Sequence, residues 1–152
     1  MKGITHILMG ISIYLFLMVF IDLFKSYLFF FLFMLGVLFP DIDETHSILG
    51  KKFKLIGWIF NHRGFFHSIF SLILFSSIFI IFNFYAGLFF ALGYSSHIIE
   101  DMLTKKGIKP FMFGLNINGP IKVGSPSEFI ISLIFLILVI ILIVFWSLKI
   151  FF

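Results

Sequence analysis

Apolar residues in this chain come in long unbroken runs, separated by short polar stretches, with little alternation inside the runs. That pattern predicts helices whose whole circumference is apolar, as in a membrane. The first run, Ile4 to Ile21, is about 27 Å long as an α-helix, close to the thickness of a hydrocarbon core. Asp22 to Ser26 turns the chain, and Tyr27 to Phe39 predicts a second, shorter span. Pro40 closes it, because the residue before a proline resists the helical conformation. Residues 41–54 are polar. Leu55 to Phe60 is too short to cross and predicts an interfacial segment, with Trp58 suited to that depth. Phe65 to Phe82 and Phe84 to Ile99 predict two more spans, joined at Asn83. A long polar stretch follows to Ser127, and Glu128 to Leu148 is the last span. The reading is all-α: one membrane-embedded helical bundle of about five transmembrane helices over residues 1–152.

Composition excludes the soluble alternatives. Hydrophobic residues make up 61% of the chain and charged residues 12%, with 26 phenylalanines in 152 residues. So much apolar surface cannot be buried inside a soluble globule of this size. Met1-Lys2-Gly3 before a long apolar run resembles a signal peptide, but no small-residue cleavage site follows, so the run is read as a retained first helix. There is no cysteine, so a metal site here must be built from imidazole and carboxylate.

The net charge of +4 is a topology signal rather than a nucleic-acid one. With the N-terminus in the cytoplasm, five spans put Lys2, Lys51, Lys52, Lys54, Arg63, Lys105, Lys106, Lys109 and Lys122 inside. Only Lys25 and Lys149 lie outside. This positive-inside bias agrees with an assignment made from span lengths alone. It predicts a multi-pass protein of the inner or plasma membrane.

The same topology collects the chemistry-bearing residues at one level. His6 starts the first span, Asp41 and Asp43 follow the second, His62 and His67 precede the third, and His97 and Asp101 end the fourth. Ionisable groups at the edge of hydrocarbon are costly and mark function. His97 and Asp101 are spaced i, i+4 and share a helix face. Gly64 predicts that the third helix starts after it, leaving His62 and Arg63 on the entering loop. Asp41 and Asp43 lie in a bend, where alternate carboxylates can serve two metals, or one metal and a water. Nitrogen and oxygen ligands without sulfur suit zinc, with manganese also compatible. His46, in a polar loop beside Ser47, is read as an interfacial anchor.

These residues fall into blocks that resemble the YdjM-type inner-membrane proteins. The blocks are Thr5-His6 with Gly10, Gly36-Val37-Leu38-Phe39-Pro40-Asp41-Ile42-Asp43, and His62-Arg63-Gly64-Phe65-Phe66-His67-Ser68. They continue with Gly93-Tyr94-Ser95-Ser96-His97, Asp101, Thr104, the stretch Lys106 to Phe111, and Gly124-Ser125 with Glu128. One departure is Phe66, where that family often carries threonine. The resemblance implies a membrane-bound metal-dependent hydrolase, a family also described as LexA-binding. The helical His/Asp set is more loosely similar to zinc-dependent phospholipase C and P1 nuclease, which points to phosphoester chemistry.

The expected function is therefore metal-dependent hydrolysis at the cytoplasmic face, with a phospholipid or lipid-linked phosphate as substrate. The metal would activate a bound water. Asp41, Asp43, His67, His97 and Asp101 are the first-choice ligands, with His6 and His62 next. A carboxylate free of the metal, Asp43, would act as general base, and Arg63 would clamp a phosphate through its bidentate fork. The alternative is a non-enzymatic scaffold or metal-binding protein that docks a soluble partner. A channel is disfavoured, because spans one, three and five carry little polarity beyond Ser12, Ser71, Ser76, Ser77 and Ser132.

Overall fold

The computed structural model describes residues 1–149, leaving aside the side chains of Asp22, Phe145, Trp146 and Lys149, so the far-side placement of Lys149 lies outside the described residues. Among the described residues six α-helices form: α1 (Gly3–Phe20), α2 (Tyr27–Leu38), α3 (Lys54–Ile59), α4 (Ile69–Phe82), α5 (Phe84–Met102) and α6 (Pro126–Lys149). Among the described residues there is no strand, only two isolated bridges within residues 104–121.

Local sequence explains most boundaries. Pro40 sits at the start of a 3-10 turn, Phe39–Asp43, that ends α2 and carries both acids. Ser68 caps α4 by accepting from the Ser71 N–H, and Asn83 caps α5 by accepting from the Ala86 N–H; such caps satisfy amide groups the first helical turn leaves open. The third apolar run starts its helix later than expected. A 3-10 turn, Phe65–His67, precedes α4, so His67 lies before the helix rather than on it. The fourth run extends further, through Glu100 and Asp101 to Met102.

Two helices, Gly3–Phe20 and Pro126–Val144, are long and apolar enough to cross a membrane on their own. At 12 and 14 residues, α2 and α4 are shorter, roughly 18 and 21 Å against about 30 Å of hydrocarbon. The outer faces are strongly apolar. Phe20, Tyr27, Ile81 and Phe82 are among many large side chains left exposed, a surface that a monomer in water does not sustain.

The centre is the contact between α2 and α5, and glycine makes it possible. A Cβ on Gly93 would lie 1.9 Å from the Phe33 carbonyl oxygen, and one on Gly36 would lie 2.2 Å from the Phe90 carbonyl oxygen. The two backbones therefore touch. Phe33, Val37, Phe89, Phe90 and Tyr94 are buried around this contact. It brings the Val37 carbonyl within 2.7 Å of His97 Nδ1, and so sets the end of α2 against the imidazole of α5.

Candidate metal centre

Tyr94 fixes the second half of the site. Its hydroxyl donates to the Phe66 carbonyl at 2.6 Å and lies 2.6 Å from the Ser71 hydroxyl. These bonds pin the 3-10 turn of residues 65–67 against α5, which sets His67 beside His97. Phe66 faces the aromatic core, stacked on Phe75 with ring centroids 5.7 Å apart.

His67 and His97 are fully buried, with Nε2 atoms 3.3 Å apart. Asp41 Oδ1 lies 3.6 Å from His67 Nε2 and 3.5 Å from His97 Nε2. Asp101 Oδ2 is 3.5 Å from His67 Nε2. Bonds of about 2.0–2.2 Å place ligand atoms roughly 3.3–3.6 Å apart around a tetrahedral cation. The measured separations are those edge lengths, and most exceed the usual reach of a hydrogen bond. His97 Nδ1 donates to the Val37 carbonyl, so in the neutral ring Nε2 carries the lone pair that a cation takes.

His6 joins from α1. Its ring stacks on His97 at 3.7 Å between centroids and 11° between planes. His6 Nδ1 pairs with Glu100 Oε2 at 2.7 Å, while His6 Nε2 is buried without a hydrogen-bond partner, 3.5 Å from Asp101 Oδ1. Three groupings have ligand atoms all within 4.8 Å of one another: His6, Asp41 and His97; Asp41, His62 and His67; and His67, His97 and Asp101. Because the groupings overlap, the donor set is continuous. It fits a divalent cation by donor chemistry and by the orphaned His6 Nε2.

The remaining predicted site residues stand around this set. Asp43 lies on the far side of the His67 ring, with Oδ2 3.6 Å from Nδ1, and its Oδ1 is 3.0 Å from His62 Nδ1. Among the described residues Asp43 enters none of the three groupings. Its geometry suits orienting His67 and His62 better than binding at the Nε2 cluster. His62 is partly exposed at the rim, where Nε2 is also 3.7 Å from Glu44. His46 is exposed on the lip of the cleft. Burial would raise the Asp41 carboxyl, yet the His97 and His67 imidazoles hold it well below the usual carboxylate range. Asp43 shows the same balance: burial opposes its charge, and the His62 and His67 imidazoles lower it.

Arg63 adopts a φ of 65°, unusual for a residue with a Cβ. Its NH2 donates to Asp101 Oδ1 at 3.0 Å, and its NH1 donates to the Thr104 hydroxyl at 3.1 Å and the Gly107 carbonyl at 3.0 Å. The fork is thus engaged with the protein rather than open to solvent. The amino group of Met1 also contacts Asp101. A cleft of about 550 Å³ opens beside the cluster, lined by Lys2, Ile4, Ile7, Ile48, Arg63 and Lys106 among others.

Glu100 has no place in the sequence motifs, and Glu128, which stands in the block with Gly124-Ser125, has no role assigned there. Glu100 sits next to Asp101 and three residues after His97, a signal that was visible but absorbed into the polar stretch. Glu128 accepts from the Lys2 and Gly124 N–H groups at 2.5 Å and lies 2.6 Å from the Thr5 hydroxyl, tying α6 to the start of α1. That junction sits one residue from His6.

An apolar helical bundle with an imidazole–carboxylate cluster buried where several of its segments end is a helical membrane protein with a metal-type donor set. The chain matches the model of the YdjM inner membrane protein over residues 1–151. It belongs to that family. It is 39% identical over 104 residues to the uncharacterized protein YvsG of Bacillus subtilis strain 168, covering 61% of this chain and 64% of the relative. It is 34% identical over 121 residues to the inner membrane protein YdjM of Escherichia coli K12, covering 66% of this chain and 60% of the relative. The matched region thus spans less than two thirds of the length of these curated relatives. No solved structure matches the chain.

Proposed function

We propose that this chain is a membrane-bound metal-dependent hydrolase acting on a phosphoester, with a phospholipid or lipid-linked phosphate as its substrate class. One observation carries the reading: buried imidazole and carboxylate atoms from three separate segments stand at the edge lengths of a tetrahedral zinc site. His67, His97, Asp41 and Asp101 would hold the cation, with His6 completing the set; zinc suits these donors, and manganese is compatible. A divalent cation bound there supplies Lewis acidity and an acidified water at neutral pH.

The chain's own residues supply the rest. Asp43 orients His67 and His62 from behind and, having Oδ2 without a hydrogen-bond partner, can also take a proton at that atom. Arg63 holds Asp101 in place and lines the cleft as a cationic wall. Lys2 and Lys106 on the same cleft attract an anionic head group, while Ile4, Ile7 and Ile48 give a lipid chain an apolar path.

The membrane arrangement that goes with this function has α1, α2, α4, α5 and α6 as five spans, the shorter ones completed by their flanking turns, and the cluster on the cytoplasmic side. Reporter fusions after Ile21 and Phe82 should then report the outside, and fusions within 105–122 the inside. The activity test is metal analysis of purified protein together with a phosphoester panel that includes phospholipids. Stoichiometric zinc or manganese with turnover that a chelator abolishes supports the proposal. A metal-loaded protein that turns over no member of the panel, yet retains a soluble partner, would favour the scaffold reading instead.

A further inference from the structure

The polar stretch after α5 carries an apolar tip. Residues 104–121 fold back as an irregular hairpin, in which Ile108 and Ile117 exchange both backbone hydrogen bonds at 3.0 and 2.9 Å. Beyond that bridge the chain turns through Met112, at φ 63°, and Gly114, at φ 84°. Phe111, Met112, Phe113 and Leu115 all stand exposed there, Phe113 at 77% and Leu115 at 88%. Four neighbouring apolar side chains held outward by a structured turn are unfavourable in water.

The depth of the tip follows from one hydrogen bond. The Ile69 N–H donates to the Pro110 carbonyl at 2.8 Å. Ile69 opens the apolar helix α4, and Phe70 and Ile73 on its first turns are exposed. The tip therefore leaves the protein at the level where the outward apolar surface of α4 begins. Lys105, Lys106 and Lys109 precede it, all exposed. Aromatic and aliphatic side chains beside lysines at that level are the combination that settles at the boundary between acyl chains and anionic head groups.

We propose that residues 111–115 insert into the leaflet on the side of the His/Asp cluster and anchor the hairpin in the bilayer, with Lys105, Lys106 and Lys109 among anionic head groups. The inference does not depend on hydrolysis. It gives the hairpin a mechanical role, because the hairpin base holds Arg63 through Thr104 and Gly107. The anchor thus fixes the mouth of the cleft relative to the membrane surface.

The chain has no cysteine, so one introduced thiol carries one probe. Nitroxide labels at Phe113→Cys and Leu115→Cys, in the full chain reconstituted in phosphatidylethanolamine–phosphatidylglycerol vesicles, report depth by their relative accessibility to oxygen and to a water-soluble nickel chelate. Ile73→Cys on the outer face of α4 and Lys52→Cys in a polar loop give the lipid and water references. The expected result is an oxygen-to-chelate ratio at both tip positions matching Ile73. A ratio matching Lys52 would overturn the proposal, as would shielding from both reagents, which would indicate a protein partner or a second copy of the chain. In vesicles of neutral lipid the tip labels should shift toward the chelate; unchanged depth would overturn the part assigned to the lysines.

Discussion

Glu100→Gln separates a metal-tuning role from a merely structural one, because the two predict opposite pairs of changes. Glu100 is almost fully buried, with Oε2 on His6 Nδ1 at 2.7 Å and Oε1 without a partner. A carboxylate on Nδ1 fixes the ring tautomer and makes Nε2 a better donor. Glutamine keeps the length and one acceptor oxygen but removes the charge. The loss of such an outer partner typically lowers metal affinity about 10–100-fold, or roughly 1.4–2.8 kcal/mol at 1.4 kcal/mol per decade. In the metal-free protein burial disfavours a charge on Glu100, so the amide replaces a neutral carboxyl of the same size and stability changes little. Chelator-competition titration of zinc in detergent, paired with thermal melts in EDTA, measures both quantities. The variant should bind zinc 10–100-fold more weakly and melt no lower than wild type in EDTA. A lower melting temperature with unchanged zinc affinity would refute the reasoning and leave Glu100 as a packing residue.

Asp101→Asn should abolish bound metal and hydrolysis while the helices still insert, and metal analysis of the membrane-purified variant checks it; the freed Arg63 and Met1 amino group add a stability loss of about 3–5 kcal/mol. Arg63→Lys should retain metal but lose turnover on phosphoesters, because lysine replaces a fork making three hydrogen bonds with a single ammonium; unchanged steady-state kinetics would count against it. Gly93→Ala should lower both melting temperature and metal content, since its Cβ would force α5 away from the Phe33 carbonyl and part His97 from Asp41; a metal content equal to wild type would show that the α2–α5 contact does not set the site. The Asp41 and Asp43 carboxyls are lowered in the folded chain, so their stabilisation is fully present above the unfolded value of about 3.9 and is lost as pH falls through the folded values. A pH series of melts in EDTA should show the share owed to these two carboxyls lost below about pH 4; a melting temperature unchanged between about pH 5 and pH 3 would count against it.

Which parts of this protein its sequence determined follows from what is local. Unbroken apolar runs, Pro40, Ser68 and Asn83 act within a few residues, so the helical class, the membrane and most helix ends are legible in the sequence. The candidate ligands were legible too, because histidine and aspartate at the ends of apolar runs are costly wherever the chain then goes. Roles were not. Asp43 carries the same charge as Asp41 two residues away, yet only the 3-10 turn decides that Asp41 faces the Nε2 cluster while Asp43 stands behind His67. Glu100 takes its meaning from His6, 94 residues earlier in the chain. Arg63, expected to face substrate, is turned onto Asp101 and the 104–107 loop by its left-handed backbone. Tertiary structure alone decided the extent of the crossing elements as well: α2 and α4 are too short to span by themselves, and the two glycines that let α2 touch α5 show their purpose only when the opposing carbonyls are seen. Periodicity and end signals report the free energy of a segment against its solvent. Side-chain direction across the α2–α5 contact depends on angles between segments, and no local pattern in the chain encodes those.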